Sequence, residues 1–487
     1  MQPGMVSTIV IVLALLVDFI IRIVAIIVVP RNRRPTSATA WLLAIYFIPY
    51  LGVLFFLFIG SYKLPKARRD KQAEINQFIL DSTVGIDRVS REHVWPPWLE
   101  SVVELNRNLG SMPLVGGNAA ALYADYAESL DAMRRSIDGA RRFVHIEFYI
   151  LAYDDTTRAF FDAIERAVDR GVTVRVLFDH IASLRSPGYR RMLRRLRATG
   201  AQWRPMLPVQ PLRGKYQRPD LRNHRKLLIV DGAVGFMGSQ NIVDRSYNKR
   251  GNRRRGLLWK DLMARLEGPV VAGMNSIFIT DWYSETDELL LREAEPAARS
   301  AKGGDLDCQL VPSGPGFDGE NNLRLFLALL YYAQERLVIT SPYFVPDESI
   351  LYAVTTAVQR GVKVELFVSE VGDQPVVYHA QRSYYEQLLR AGVRIWRYRK
   401  PYILHSKHFT VDEEVAVIGS SNMDMRSFSL NMEVSLMVRG RTFVESLRGV
   451  EDQYRHDSTE LTLEEWLGQP LGATVLDNLA RLTSALQ

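Results

Sequence analysis

Two long apolar stretches open the chain, and an alternation of short apolar runs with amphipathic segments fills the rest. Thr8 to Val29 is apolar except for Asp18 and Arg22, and Trp41 to Ile59 carries no charge. The first stretch, 22 residues long with a rise of about 1.5 Å per residue, reaches about 33 Å, enough for a hydrocarbon core of about 30 Å. Its two charges each cost roughly 2.5 to 3.5 kcal/mol near a helix centre, while each Ile, Leu, Val or Phe returns about 0.3 to 0.6, and there are 17 of them. The balance predicts an N-terminal two-helix transmembrane hairpin, with Asp18 and Arg22, four apart on one helical face, either paired with each other or facing the second helix. A cleaved leader fits poorly, because Met1 to Ser7 has no basic residue and a second span follows.

From about residue 115 the pattern changes and then repeats. Arg142 to Tyr149 resembles Arg336 to Tyr343, Arg170 to Phe178 resembles Arg360 to Val368, and Ala198-Thr199-Gly200-Ala201 matches Arg390-Ala391-Gly392-Val393. Thr156 to Arg170 has apolar residues at 160, 161, 164 and 168, a helical spacing, and Gly171 ends it before a Val-rich strand. Helix alternating with apolar strand predicts an α/β sandwich with a largely parallel sheet, duplicated, the halves related by a pseudo-two-fold axis. The domains expected are a hairpin (1–62), a linker and juxtamembrane helix (63–114), a first half (115–300) and a second half with a C-terminal helix (301–487). In the linker, Trp95-Pro96-Pro97-Trp98 reads as a packed turn or a membrane-interface anchor. Val475, Leu476, Leu479 and Leu482 predict a C-terminal helix. Core packing is the common destination of such a stripe, and a membrane surface is the alternative.

Charge sets the orientation. Lys63, Lys66, Arg68, Arg69 and Lys71 follow the second span, against Arg31, Arg33 and Arg34 between the spans, which places the large C-terminal portion of a multi-pass cell-membrane protein in the cytoplasm. The single cysteine, Cys308, agrees with a reducing compartment. Net charge is +7, and the clusters Arg218 to Lys226 and Lys249 to Arg255 suit a phosphate-bearing partner or form a solvated surface.

The chemistry lies in a motif that occurs once in each half, His-x-Lys-x4-Asp-x6-Gly-Ser-x-Asn. It reads His224, Lys226, Asp231, Gly238, Ser239, Asn241, and again His405, Lys407, Asp412, Gly419, Ser420, Asn422. On a strand, His and Lys two apart share a face. Two histidines, two lysines and two asparagines meeting in one pocket bind phosphate oxygens. One imidazole attacks phosphorus while the other protonates the leaving oxygen, giving a phosphohistidine without any metal or cofactor. None of the eight histidines belongs to a zinc-ligand pattern. His408, three residues from His405, faces the opposite way and reads as a packing residue. Asp231 and Asp412, before turns, read as backbone anchors. Asp261 and Glu433 lead into apolar strands and need partners, so they are the carboxylates to orient the histidines.

These motifs, with Ser313-Gly314-Pro315, Tyr384-Tyr385 and Asp424 to Phe428, resemble the phospholipase D superfamily and, over essentially the whole chain, its bacterial cardiolipin synthase family. The resemblance implies a phospholipase D-type sandwich and transfer of a phosphatidyl group between two phosphatidylglycerol molecules with release of glycerol. It casts His224 as nucleophile and His405 as general acid and then base, although near symmetry leaves the reverse open. It places Lys226, Lys407, Asn241 and Asn422 on phosphate oxygens, with Ser239 and Ser420 supporting. Asp231 and Asp412 complete the catalytic motifs, and Asp261 and Glu433 orient His224 and His405 respectively. The partners implied are phosphatidylglycerol and other anionic phospholipid, not nucleic acid, and a homo-oligomer is compatible. A first half nine residues longer between histidine and carboxylate, 37 against 28, departs from the second and carries Lys249, Arg250 and Arg253 to Arg255, which suit a lipid headgroup. Rival readings are a membrane phospholipase D that hydrolyses lipid to phosphatidic acid and a noncatalytic lipid-binding scaffold, the latter opposed by intact motifs in both halves.

Overall fold

The computed structural model describes residues 3–31, 33, 35–60, 63–83, 97–210, 216–290, 293 and 300–482. Trp95 and Pro96 lie outside these residues. The chain divides into two compact units, residues 1–63 with 218–220, and residues 64–217 with 221–487.

In the first unit, Pro3–Val28 is one helix, and its stretch Ile9–Val28, with mean hydropathy 3.0, is long and apolar enough to cross a membrane. The expected pair forms within it, Arg22 Nε lying 2.8 Å from Asp18 Oδ2. The second expected span is broken into two short helices, Pro35–Phe47 and Pro49–Ile59. Pro49 disfavours helical geometry in the residue before it, and Ile48 adopts φ −135°, ψ 70°. Ala25, Val29 and Ile45 form the buried core of this unit.

The second unit is built on one sheet of 16 strands among the described residues. The repeat is visible in its order. In the first half Phe143–Phe148, Thr173–Asp179 and Gln202–Met206 run parallel, followed outward from Phe143–Phe148 by antiparallel Lys226–Val230, Val234–Gly238, Met263–Glu267 and Leu114–Tyr123. Arg336–Thr340, Lys363–Ser369 and Arg394–Tyr398, then His408–Val411, Val415–Gly419, Asn431–Arg439 and Leu306–Ser313, repeat it. Leu114–Tyr123 pairs antiparallel with Leu306–Ser313, so the halves share one sheet. That sheet is mixed, not largely parallel, because the motif strands return as hairpins.

Period-two alternation distributes each strand between two cores. Leu228 and Val230 face the helices of the first half, whereas Leu227 and Ile229 join a central core with Ala416, Ile418, Leu436 and the helix Val270–Thr286. The predicted helix after the first strand is Arg158–Asp169, with Phe160, Phe161 and Ile164 buried.

Candidate active site

Each motif strand ends in a hairpin turn, and the turn explains the motif aspartate. Asp231 and Asp412 adopt φ 55° and 50°, a left-handed conformation that Asp tolerates. The Asp231 carboxylate accepts from the backbone N–H groups of Arg141, Arg142 and Phe143 at 2.7 to 2.9 Å. Asp412 does the same for Gln334, Glu335 and Arg336 at 2.8 to 3.2 Å. Each lies five positions along the chain from its motif lysine, about 16 Å at about 3.3 Å per residue. Both lie away from the site, so their place in the catalytic set is corrected: they tie the hairpin to the neighbouring strand. The motif glycines permit close strand approach. A Cβ on Gly238 would lie 2.3 Å from Leu262 O, and one on Gly419 would lie 2.3 Å from Val434 O.

Before each motif the chain crosses to the other half. Arg222–Asn223 pairs parallel with Asn431–Met432, and His224 N donates to Met432 O at 2.9 Å. Likewise Tyr402–Leu404 pairs with Leu258–Lys260, and His405 N donates to Lys260 O at 2.7 Å. Each histidine therefore lies beside the carboxylate of the opposite half. His224 Nδ1 is 3.0 Å from both Glu433 oxygens and 3.1 Å from Ser420 O. His405 Nδ1 is 2.7 Å from Asp261 Oδ1. The expected pairing of Asp261 with His224 and Glu433 with His405 is reversed, because an offset counted within one half misses the crossing.

The serines support the carboxylates. Ser239 Oγ donates to Asp261 Oδ1 at 2.7 Å and Ser420 Oγ donates to Glu433, while the N–H groups of Leu262 and Val434 donate to those hydroxyls at 3.0 Å. Each serine hydroxyl thus bonds the carboxylate that lies beside a histidine. Lys226 and Lys407 are buried, and each Nζ donates to the carbonyl of its own histidine. Asn241 is partly committed, its Oδ1 accepting from Ile150 N and its Nδ2 donating to Tyr247 Oη, both at 3.0 Å. Asn422 differs, its Oδ1 having no hydrogen-bond partner among the described residues.

Electrostatics separate the two halves. Burial, then Lys226 and Lys407, lower the His224 pKa well below the ordinary imidazole value. Burial and Lys407 lower His405 to about 4, against the opposing pull of Asp261. Burial pushes Glu433 up to about 7, whereas His405, Lys407 and Ser239 outweigh burial and hold Asp261 below its ordinary value. Burial brings Lys407 down to about 8 and Lys226 well below the ordinary lysine value.

Several residues of the site have no motif signal of their own. The Tyr149 ring stands edge-on to His224 at 4.8 Å, with Lys226 Nζ 5.3 Å from its centre. Its recurrence as Tyr343 at the end of the repeated strand was the available clue. Tyr247 packs at 4.6 Å on Trp259 and at 6.2 Å from His405. Behind His224, Arg225 donates through Nε to Glu433 O at 3.1 Å and pairs with buried Asp281. Arg222 pairs with buried Asp179 at 3.2 Å. Most of the basic run ending at Lys226 thus points inward. His408 is buried on the other face against Tyr454, as a packing residue.

Residues 133–282 and 326–453 match a family described as cardiolipin synthase, PLD-like domain, and residues 20–61 match a phospholipase D-nuclease N-terminal family. The chain belongs to the cardiolipin synthase family of phospholipase D-like proteins. It is 32% identical over 476 residues to a cardiolipin synthase of Geobacillus kaustophilus, covering 95% of this chain and 91% of that protein. It is also 32% identical to cardiolipin synthase A of Proteus mirabilis, covering 93% and 94% respectively. Among solved structures, phosphatidylserine synthase of Haemophilus influenzae shares the fold with a TM-score of 0.60 at 15% identity, over 80% of this chain and 100% of that one.

Proposed function

We propose that the chain makes cardiolipin, moving a phosphatidyl group from one phosphatidylglycerol to another through a phosphohistidine. The observation that carries this reading is the crossed pair of buried imidazole–carboxylate contacts, His224 with Glu433 and His405 with Asp261. A carboxylate at Nδ1 fixes the proton there and leaves the Nε2 lone pair for chemistry.

His224 is the nucleophile in this scheme. Facing a carboxyl pushed up to about 7 and two lysines, it stays neutral. His405, lowered to about 4 before substrate binds, takes up a proton on Nε2 as the phosphodiester anion enters, and Asp261, held below its ordinary value, stabilises the imidazolium. In the first step His224 Nε2 bonds to phosphorus, the phosphorus–oxygen bond to glycerol breaks, and His405 Nε2–H gives its proton to the departing oxygen. In the second step a hydroxyl of another phosphatidylglycerol gives its proton to His405, its oxygen bonds to phosphorus, and the phosphorus–nitrogen bond breaks. Lys407, charged below about pH 8, and Lys226, whose pKa burial lowers, hold the phosphodiester anion between them. Asn422 and the remaining N–H of Asn241 complete the donors.

The membrane part of the proposal is a two-pass anchor with a cytoplasmic catalytic unit, supported by the basic residues after Gly60 and by the family match over 20–61. Labelling of a cysteine placed at Arg33 from the outer side only, and of one at Lys66 from the inner side only, is the expected pattern.

The activity test supplies phosphatidylglycerol to the purified protein and follows cardiolipin, glycerol and phosphatidic acid. Cardiolipin and glycerol in equal amounts are expected, with losses of about 10³-fold or more in His224→Ala and His405→Ala. Phosphatidic acid as the only lipid product, or unchanged turnover in both variants, would overturn the reading.

A further inference from the structure

The C-terminal helix Leu471–Arg481 is inverted relative to an ordinary surface helix. Its buried residue is Asp477, 2% exposed, which accepts from His379 Nδ1 at 2.7 Å and from Arg382 Nε at 3.2 Å. Its large apolar residues face outward, Leu471 at 85%, Val475 at 56%, Leu476 at 54%, Leu479 at 57% and the adjoining Leu482 at 80%. At about 100° per residue these five fall within an arc of about 140°, its centre opposite Asp477. The helix carries no other acidic residue, and its remaining charge, Arg481, lies over the Tyr384 ring at 4.6 Å. The stripe is therefore not core packing. An aliphatic face held outward by a buried ion pair marks an interaction site.

Its position points to the occupant. The clamping helix Pro375–Arg382 leaves the strand Lys363–Ser369 at the catalytic end of the sheet. Just before it, Asp373 accepts from Tyr343 Oη at 2.9 Å, and within it Gln381 Oε1 accepts from Phe344 N at 2.8 Å. Phe344–Val345 pairs with Met423–Asp424, directly after Asn422. On the other side of the loop, Val371 packs into the cluster of Tyr247, Trp259 and Ile403, from which the helix Arg250–Arg255 extends with Arg250, Arg254 and Arg255 exposed. An apolar stripe and a basic segment thus flank one site. One helix face of five aliphatic side chains falls short of the roughly 800 Å² per partner of a stable protein interface, whereas it suits an interfacial helix on an anionic bilayer.

We infer that Leu471, Val475, Leu479 and Leu482 insert into the membrane interface and seat the catalytic end of the sheet on the anionic lipid surface. The choice of lipid as occupant rests on the function proposed above. The stripe delivers the mouth of the site to phosphates at headgroup depth, and the basic segment adds attraction to anionic headgroups.

The test uses full-length protein in vesicles of phosphatidylglycerol and phosphatidylcholine, labelled with an environment-sensitive fluorophore at Val475→Cys or Leu479→Cys. Cys308 is fully buried and stays unlabelled in the folded protein. Glu445→Cys, on the exposed surface at the Asp412 end of the strands, is the reference position. Quenching by lipids carrying a nitroxide near the headgroup is expected at 475 and 479 and not at 445. The double variant Val475→Glu/Leu479→Glu is expected to lose at least tenfold in turnover of vesicle phosphatidylglycerol while keeping its rate on a short-chain, monomeric phosphatidylglycerol. Unquenched probes would overturn the inference, whether they remain in water or Val475→Cys cross-links to a second copy, and so would an unchanged vesicle rate. Quenching is read without turnover, so its failure is distinct from a failure of the unsubstituted protein to make cardiolipin.

Discussion

Burial pushes Glu433 up to about 7, from an ordinary value of 4.5, while Asp261, equally buried, is held below its ordinary value by His405, Lys407 and Ser239. The two carboxylates therefore contribute to stability with opposite dependence on pH. A raised carboxyl stabilises the fold fully below about 4.5, and that contribution is lost as pH rises through about 7. The difference corresponds to about 3 kcal/mol at most. Glu433→Gln never ionises, so its stability relative to the unsubstituted protein should improve between pH 4.5 and 8, even as transfer is impaired. Asp261→Asn should behave in the reverse sense, with its full deficit at neutral pH shrinking as pH falls below the ordinary aspartate range. Thermal unfolding of both variants at several pH values checks the signs, and a Glu433→Gln margin independent of pH would contradict the raised value. Activity carries its own limb. Lys407, at about 8, loses its charge as pH rises through that value, so turnover should fall there, and Lys407→Arg, which stays charged, should lack that limb in whatever activity remains. A pH–rate profile of each protein decides it.

At the scale of the element, the turn aspartates separate folding from chemistry. Asp231 accepts three backbone hydrogen bonds that start the strand Phe143–Phe148. Removing the acceptor leaves those donors, two of them exposed to water, without their charged partner, at a cost of roughly 2 to 4 kcal/mol. Asp231→Ala and Asp412→Ala should each lower the urea midpoint accordingly, yet keep turnover per folded molecule within about threefold. A loss matching that of His224→Ala would return them to the catalytic set. Elements of this kind were legible in the sequence wherever a local rule acts. The turn aspartates, the helix ended by Gly171 and the opposed faces of His405 and His408 all follow from spacing. The break in the second apolar span was missed because hydropathy averages over Pro49, whose effect on Ile48 is a single-residue backbone constraint. The carboxylate pairing was misread for a different reason. Residues 222–223 and 402–404 lie along strands about 200 and 140 positions away, and no pattern within one half reports that. The C-terminal stripe had the right period, and only Asp477 buried beneath it reveals which way it faces.

For the whole molecule, the crossing makes the halves interdependent. The sheet is continuous through the pairing of Leu114–Tyr123 with Leu306–Ser313, and Arg225 of the first half donates to Glu433 O of the second while paired with buried Asp281. Removing Asp281 would leave Arg225 buried without its partner, at a cost of about 3 to 5 kcal/mol, and would loosen the strand that carries Glu433 toward His224. One complete site thus requires both motifs and both carboxylates from the same chain, with each histidine seated on the other half. A mixture of His224→Ala and His405→Ala chains tests this directly. In every molecule of such a mixture one of the two imidazoles is missing from its site, so cardiolipin formation should remain at the level of the separate variants, at any ratio and after joint unfolding and refolding. Recovery toward one quarter of the unsubstituted rate would mean that halves exchange between chains, the active unit then being an oligomer that assembles His224 of one copy with His405 of another.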